Sequence, residues 1–224
     1  MRTKQAPWEF VEKYYTDDLA ERNTPETRFY LSWLKHIKGK TVLSLGCGPN
    51  LYDDVQFFGC MPKGIVGIDL NKNNIDFLKK SRHPELLKSK RILSQNKVRT
   101  RLIAGNVLKP KKEFIGKFDA IYAMGVIGMF EERRLKNLLK LIHDYLKPKG
   151  IFLDVDWTDC QLSEKKYKER QSYEWYSKEG PSIKKIGSLI KQANLKIIEH
   201  SVYDVPNKKE YLWGKIYGYL AQKE

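Results

Sequence analysis

The sequence predicts an α/β fold built on a mostly parallel sheet with helices on both faces. Short apolar runs alternate along the chain with amphipathic helical segments, and the first run ends in a glycine-rich turn. Strands that alternate with helices in this way form parallel sheets whose two faces the helices cover. With 224 residues and 41% hydrophobic side chains, the chain fits one domain with a sizeable core.

The amino-terminal segment 7–37 is predicted to form two helices. Trp8, Val11 and Tyr15 recur at helical spacing. Thr24 before Pro25 has the residue types of a helix N-cap and a first helical position. Because both helices precede the first strand, we expect them to form a helical cap over the sheet.

Seven runs rich in apolar and β-branched residues predict the strands of the sheet. They span residues 41–45, 64–70, 118–124, 151–155, 196–202 and 211–217, and residues 101–107 are predicted to form a strand followed by a turn. A helix over Ile75, Phe77 and Leu78 follows the second run. Another amphipathic helix is predicted over 131–146, and the turn 147–150 ends it before the fifth run.

The charge and hydropathy of the chain indicate which classes of partner it could bind. The chain carries 42 basic against 27 acidic residues, a formal net charge of +15, with its densest basic run at 82–101. Such a run forms either a solvated face or a contact surface for nucleic acid. No apolar run approaches the roughly 20 residues that span a bilayer, and the amino terminus lacks the apolar stretch of a signal peptide. We therefore expect a cytoplasmic protein without a membrane partner.

The cysteines show no functional pattern. Cys47, Cys60 and Cys160 have neither paired spacing nor a neighbouring histidine motif. An odd, unpatterned set argues against a disulfide framework and against a zinc site. We expect no bound metal.

The glycine-rich turn after the first strand predicts a nucleoside site. Gly46 and Gly48 allow the backbone to approach a ligand closely, and Asp69 at the end of the second strand is placed to accept hydrogen bonds from ribose hydroxyls. A dinucleotide fingerprint would have a third glycine, but position 51 is Leu, and no P-loop lysine follows. This pattern favours a nucleoside without a pyrophosphate.

These motifs resemble those of the class I S-adenosylmethionine-dependent methyltransferases. The run 43–49, Leu-Ser-Leu-Gly-Cys-Gly-Pro, is similar to the glycine-rich first motif of that family, and 68–70, Ile-Asp-Leu, is similar to its acidic second motif. Residues 105–107, 118–121 and 146–150 resemble its third motif, its fourth-strand motif and the turn before its fifth strand. The five motifs occur in the family's order over residues 41–156.

The resemblance implies a Rossmann-like, mostly parallel seven-stranded sheet with an N-terminal helical cap. It implies S-adenosylmethionine as cofactor and S-adenosylhomocysteine as its product. In the glycine-rich turn, the residues that would contact the methionine part of the cofactor are Gly46, Cys47, Gly48 and Pro49, and Asp69 would bind the ribose. The adenine would lie among Leu70, Asn106 and Val107. Met124 would close the pocket, and Tyr15 would cap the carboxylate of the cofactor.

We expect a single domain over 1–224, since its length is typical of one domain. Residues 1–38 would form the cap, 39–156 the cofactor-binding core, and 157–224 a substrate-side lid with the terminal strands. Aromatic residues in the lid segment, Tyr167, Tyr173, Trp175 and Tyr176, would either cover the substrate or pack as an ordinary helix.

Three positions depart from the family pattern. Ser44 stands where an acidic residue is frequent, Asn50 replaces the third glycine, and Asn106 replaces the usual Asp of the third motif. No general base is identified, although Asp156 and Asp159 fall near the expected mouth of the site.

Three functions are compatible with this pattern. The first is methyl transfer to a small molecule, because the chain has room for caps but no separate nucleic-acid module. The second is an RNA methyltransferase that uses the basic surface, although 123–126, Ala-Met-Gly-Val, lacks the aromatic-polar motif expected of a base-acting enzyme. The third is a protein of this fold without methyl transfer. The oligomeric state and the methyl acceptor are not predicted.

Overall fold

The computed structural model describes residues 7–21, 24–56, 59, 61–158, 181–204 and 215–224. Its strands are β1 Thr41–Leu45, β2 Gly64–Asp69, β3 Arg99–Ala104, β4 Phe118–Met124, β5 Leu146–Thr158, β6 Leu195–Asp204 and β7 Lys215–Lys223. They form one seven-stranded sheet in the order β3-β2-β1-β4-β5-β7-β6. Strand β7 runs antiparallel to β5 and β6, and the other neighbouring pairs are parallel. The predicted mostly parallel, Rossmann-like sheet is confirmed.

Seven helices are described around the sheet. They are α1 Trp8–Glu21, α2 Pro25–Ser32, α3 Leu51–Asp54, α4 Lys72–Lys80, α5 Pro84–Gln95, α6 Glu132–Tyr145 and α7 Ile183–Gln192. Three short 3-10 helices, Trp33–Ile37, Lys112–Phe114 and Ile127–Met129, join them. None of the described helices is both long and apolar enough to cross a membrane.

The sheet separates two hydrophobic cores. On one face, side chains such as Val42, Tyr122 and Leu153 pack against α1 to α5. On the other face, Leu43 and Phe152 pack against α6 and α7. Alternate residues of the buried strands therefore face opposite cores, which explains why the strands are continuous apolar runs.

Several predicted element ends are confirmed by local contacts. Thr24 caps α2, because its hydroxyl oxygen accepts a hydrogen bond of 3.3 Å from the amide of Thr27. Helix α6 lies within one residue of the predicted 131–146 at each end.

The third, fifth and last strands differ from the prediction. Strand β3 begins at Arg99, before the predicted start at residue 101, and ends at Ala104; the next residue, Gly105, donates its amide to the Asp69 carbonyl at 2.8 Å. Strand β5 begins directly at Leu146, which pairs with Phe118 across a register shift. The last strand, predicted over 211–217, is Lys215–Lys223, while 211–214 lie outside the described residues.

Gly218 lies directly after the predicted end of the last strand. A glycine usually weakens a strand, but here β7 continues through it and pairs with both β5 and β6. A Cβ atom at Gly218 would lie 2.2 Å from the Trp33 ring. The residue is therefore a packing site for the cap and not a strand end.

The basic run 82–101 contains a helix that was not predicted. In α5, Leu86, Ser89 and Leu93 are buried, so its polar residues occupy the opposite face. Its basic side chains, together with those of the edge strand β3, are largely exposed: Arg82, Lys88, Arg91, Lys97, Arg99 and Arg101.

Candidate active site

The glycine-rich turn lies at the carboxyl end of β1, where ligands bind in open α/β sheets. Gly46 and Gly48 adopt left-handed backbone conformations, with φ of +61° and +57°. A Cβ atom at Gly46 would lie 2.5 Å from Val126 Cγ2, whereas one at Gly48 would meet nothing within 4 Å. Gly46 thus permits packing against the loop after β4, and Gly48 leaves open space beside the backbone.

The end of β2 fixes the position of this turn. The amide of Cys47 donates to the Ile68 carbonyl at 3.1 Å, and the amide of Gly48 donates to Asp69 Oδ2 at 2.8 Å. The carbonyl of one strand end and the carboxylate beside it therefore hold two successive amides of the turn.

The Asp69 carboxylate accepts two further hydrogen bonds besides the one from Gly48. Its Oδ1 accepts from the Asn71 amide at 2.8 Å and from Asn74 Nδ2 at 3.2 Å. Burial raises the pKa of Asp69, and the three hydrogen bonds from Gly48, Asn71 and Asn74 partly oppose that effect. An ionised carboxylate has about four acceptor positions, of which these bonds use three. Asp69 is buried, and its contact with a ribose stays a prediction.

A cleft with about 580 Å³ of open space lies between this turn and the cap. Residues 44–50 form one wall, together with Tyr122 and Met124 of β4. The cap contributes Tyr14 and Asp18 from α1 and Thr27, Tyr30 and Leu31 from α2, and Asp54 of α3 adds a second carboxylate. Both cap helices therefore take part in the site.

Three buried polar atoms on this cleft have no hydrogen-bond partner of good geometry: Ser44 Oγ, Asn50 Oδ1 and the Tyr122 hydroxyl. Their residues are 1%, 7% and 3% exposed. Ser44 and Tyr122 face one another across β1 and β4, close enough for Ser44 to lower the pKa of Tyr122 in part. Buried polar groups are normally paired, so these three atoms indicate that the cleft is shaped for a polar ligand.

Carboxylates dominate the electrostatics of the cleft. Burial raises the pKa of Tyr30 well above its ordinary value, and the nearby charges of Asp156, Asp54 and Asp18 raise it further. Burial and the charge of Asp54 also raise the pKa of Tyr122. Among the described residues that line the cleft, the charged ones are Asp18 and Asp54.

Most of the predicted cofactor residues meet at this edge of the sheet. Gly46, Cys47, Gly48, Pro49 and Met124 line the cleft. Because β3, β2, β1 and β4 are adjacent, the residues after β2 and β3 (Leu70, Asn106 and Val107) lie along the same edge. Asn106 Oδ1 accepts from the Leu108 amide at 2.8 Å, which stabilises its turn. Contact of these residues with a cofactor stays a prediction.

The placement of Tyr15 corrects one expectation. Its side chain is 0% exposed and its hydroxyl donates to Asp53 Oδ2 at 2.8 Å, in the core beneath α1. The preceding residue, Tyr14, lines the cleft instead. One residue on a helix turns the side chain by roughly 100°, so the sequence pattern selected the right helix and the wrong face.

The other polar candidates lie elsewhere or outside the described residues. Asp156 Oδ2 accepts from the Gly128 amide at 2.7 Å and so anchors the loop after β4. No histidine is found among the described residues that line the cleft. Asp159 and the aromatic residues Tyr167, Tyr173, Trp175 and Tyr176 lie outside the described residues.

The sequence interpretation placed the cap over the site but missed Tyr14 and Asp18 as the residues of α1 that line the cleft. Tyr14 and Asp18 lie four residues apart, at the spacing of one helix face, and Phe10 continues that row. Separating this row from the buried row of Val11 and Tyr15 would have identified the cleft-facing side of α1.

A family model described as a methyltransferase domain matches residues 10–200 of the chain. The chain belongs to this family. Its cofactor is therefore S-adenosylmethionine, as the motif resemblance implies. No curated protein sequence matches the methyltransferase.

Solved structures of the same fold resemble this methyltransferase at low identity. Burkholderia thailandensis 1,6-didemethyltoxoflavin-N1-methyltransferase, solved with 1,6-didemethyltoxoflavin and S-adenosylhomocysteine, is 16% identical with a TM-score of 0.60 over 100% of this chain and 92% of its own. The N-methyltransferase NodS from Bradyrhizobium japonicum, solved with S-adenosylhomocysteine, is 12% identical with a TM-score of 0.62 over 96% and 97%. A cyclase, SpnF, is 13% identical with a TM-score of 0.63 over 88% and 80%. At these identities the likeness establishes the fold alone.

The residues of the cleft fit the cofactor. Gly48 leaves open space where any other residue would place a side chain, and Ser44, Asn50 and Tyr122 bring buried polar atoms to the same wall. Asn50 and Ser44, which depart from the family motif, line the same wall. When bound, S-adenosylmethionine supplies a methyl group on a positively charged sulfur.

Proposed function

We propose that this methyltransferase acts on a small molecule held between the cap and the glycine-rich turn. The observation that carries the proposal is that Tyr14, Asp18 and Tyr30 of the cap line the same cleft as Gly46 and Gly48.

The chain's own residues position the reactants and exclude water. The cap supplies one wall of the site, and the turn tied to Asp69 supplies the other. Holding an acceptor in line with the methyl group converts a bimolecular step into an effectively unimolecular one, worth up to about 7–11 kcal/mol. The proposed catalysis therefore rests mainly on positioning.

Electrostatics favours a small molecule over RNA. The charged residues among the described lining of the cleft are Asp18 and Asp54, and carboxylates repel phosphate groups. The exposed basic side chains of the run 82–101 lie on α5, on the edge strand β3 and in the turns beside them, apart from the described residues that line the cleft. An RNA substrate would need its backbone to contact that surface while one base reached an acidic cleft.

Titration calorimetry and a transfer assay test the proposal. We expect S-adenosylmethionine and S-adenosylhomocysteine to bind the full chain, and radiolabel from the methyl donor to enter the small-molecule fraction of a metabolite extract. Absence of binding by both ligands at millimolar concentration would show a protein of this fold without methyl transfer. Label in RNA, with affinity that falls steeply as salt rises because counterions are released, would establish the RNA alternative instead.

A further inference from the structure

We propose that Asp156 is a positioning residue for the cofactor, because it holds the loop after β4 (residues 125–130) against the glycine-rich turn. The inference concerns the cofactor side of the site and goes beyond the proposed choice of acceptor. It starts from the order of the strands, in which β1 lies between β2 and β4, and β5 lies beyond β4. The turn after β1 is therefore flanked by the end of β2 on one side and by the loop after β4 on the other.

The two neighbours of the turn hold it in different ways. On the β2 side, the carbonyl of Ile68 and the carboxylate of Asp69 accept hydrogen bonds from the turn. On the other side the contact is packing: a Cβ atom at Gly46 would lie 2.5 Å from Val126 Cγ2, so the side chain of Val126 lies directly against the backbone of the turn. Since protein interiors are close-packed, a shift of Val126 would either open a gap beside the turn or press on it.

Strand β5 fixes the loop that carries Val126. The amide of Gly125 donates to the Val155 carbonyl at 2.9 Å, and the amide of Gly128 donates to Asp156 Oδ2 at 2.7 Å. These two bonds lie on either side of Val126 and come from consecutive residues of β5. The first is a backbone bond that is open to any residue at position 155. The side chain of Asp156 is therefore the part of this attachment that depends on the sequence of β5.

Gly128 lets the carboxylate of Asp156 come close to the loop. A Cβ atom at Gly128 would lie 3.2 Å from Asp156 Cγ and Oδ2 and 3.3 Å from Oδ1. The φ of Gly128 is not left-handed, so the close approach, and not the backbone conformation, favours a glycine here. Asp156 is only 5% exposed, and hydrogen bonds that a carboxylate accepts are stronger than those between neutral groups. The glycine and the carboxylate therefore form a matched contact.

The loop has a second anchor that does not depend on Asp156. Ile127 is 0% exposed and packs into the core on the side of α6. Loss of the Asp156 bond should therefore let the loop shift without detaching it from the core. Because Val126 directly precedes Ile127, such a shift changes the contact with Gly46. We expect a loss of cofactor affinity that lower stability alone does not explain.

Substitutions of Asp156 test the inference in the full chain, at a temperature where each variant is folded. Asp156→Ala removes the acceptor and should weaken S-adenosylhomocysteine binding about tenfold in titration calorimetry. Asp156→Asn keeps an acceptor oxygen in nearly the same shape and should restore most of that affinity. Asp154→Ala is the control, since Asp154 is buried two residues earlier on the same face of β5 and its oxygens have no hydrogen-bond partner of good geometry. Equal affinities of Asp156→Ala and Asp156→Asn, or an equal loss in Asp154→Ala, would overturn the inference.

A double-mutant cycle with Gly128 separates this contact from general destabilisation. Gly128→Ala should weaken S-adenosylhomocysteine binding in the wild type, because the added methyl group displaces the carboxylate of Asp156. In the Asp156→Ala background the same methyl group enters the space that the carboxylate has left, so the further loss should be small. Additive losses in the double variant would show that the two residues act independently and would overturn the inference.

Hydrogen exchange without ligand measures the coupling directly. The amides of Cys47 and Gly48 are hydrogen-bonded to the end of β2, so peptides that cover residues 46–50 should exchange slowly in the wild type. Exchange there should be faster in Asp156→Ala and unchanged in Asp154→Ala. Wild-type exchange of these peptides in Asp156→Ala would overturn the inference. Failure of the wild type to bind S-adenosylhomocysteine would instead contradict the proposed function, and the exchange measurement would still decide whether Asp156 holds the turn.

Discussion

The backbone amide of Gly48 donates a hydrogen bond of 2.8 Å to the carboxylate of Asp69. This bond joins the glycine-rich motif after β1 to the acidic motif at the end of β2. A ligand that contacts both motifs therefore meets a pre-formed wall and not two independent loops. Preorganisation of this kind lowers the cost of binding.

Replacing Gly48 with alanine should weaken cofactor binding more than it weakens the fold. The added methyl group would enter space that contains no atom within 4 Å, beside the cleft. A left-handed alanine costs about 1–2 kcal/mol, while loss of the close approach should reduce the affinity for S-adenosylhomocysteine by about tenfold or more. Calorimetry and thermal unfolding measure the two effects separately.

Gly116 offers a matched control for this substitution. Its φ is +63°, close to the +57° of Gly48, and a Cβ atom there would also meet nothing within 4 Å. Gly116→Ala should therefore lower the melting temperature to a similar extent and leave cofactor affinity unchanged. Similar affinities for the two variants would show that Gly48 does not contact the cofactor.

Asp69→Asn should reduce both stability and cofactor affinity. The carboxylate accepts from Gly48, Asn71 and Asn74, so an amide NH₂ at one oxygen position would face a donor. A buried donor left without a partner costs about 1–3 kcal/mol. Denaturant unfolding and S-adenosylhomocysteine titration measure the two losses.

The exposed carboxylate of Asp204 controls for the loss of one negative charge. Its side chain is 82% exposed, and Asp204→Asn should change neither quantity. An Asp69→Asn protein with wild-type stability and affinity would contradict the role of Asp69 in both the turn and the ribose contact.

The sheet was predictable from the sequence because its strands carry their signal locally. Buried parallel strands are continuous apolar runs, and the Gly46–Gly48 turn and Asp69 follow two of them directly. The end of β7 was not predictable, since the role of Gly218 depends on Trp33, a residue far away in sequence.

The sequence motifs could not predict which residues of the cap line the site, for a similar reason. Whether Tyr14 or Tyr15 faces the cleft depends on how α1 rotates against the core, and that rotation is set by contacts such as Tyr15 with Phe77, whose ring centroids lie 5.1 Å apart. The pairing of Ser44 with Tyr122 on one wall of the cleft likewise depends on β1 and β4 lying side by side.

Phenylalanine substitutions at Tyr14 and Tyr15 should have opposite effects. Tyr15→Phe removes a buried hydrogen bond to Asp53 and should cost about 1–3 kcal/mol of unfolding free energy, without changing the affinity of the folded protein for ligands. Tyr14→Phe should leave stability unchanged, because Tyr14 is 50% exposed, but should alter acceptor binding at the cleft. If Tyr15→Phe changed the affinity for cofactor or acceptor and Tyr14→Phe did not, Tyr15 would be shown to belong to the site.

Asp154 should make the fold less stable as pH rises. It is 0% exposed, and neither carboxylate oxygen has a hydrogen-bond partner of good geometry. Burial, followed by the charge of Asp156, raises the pKa of Asp154 well above its ordinary value of 3.8, and the nearby Tyr217 hydroxyl opposes this only in part. The folded state therefore keeps a proton that the unfolded chain has already released.

Asp154→Asn should remove that dependence on pH. Above pH 3.8 the wild type should lose up to about 1.4 kcal/mol of unfolding free energy per pH unit from this group, until the pH passes the pKa of Asp154 in the folded state. The neutral amide has nearly the same shape and does not titrate. Its advantage over the wild type should thus grow between pH 4.5 and pH 7.5 in denaturant titrations, while Asp204→Asn should show no such growth. A constant difference between Asp154→Asn and the wild type across that range would mean that Asp154 is already ionised in the folded protein, and hence that a partner compensates its charge inside the core.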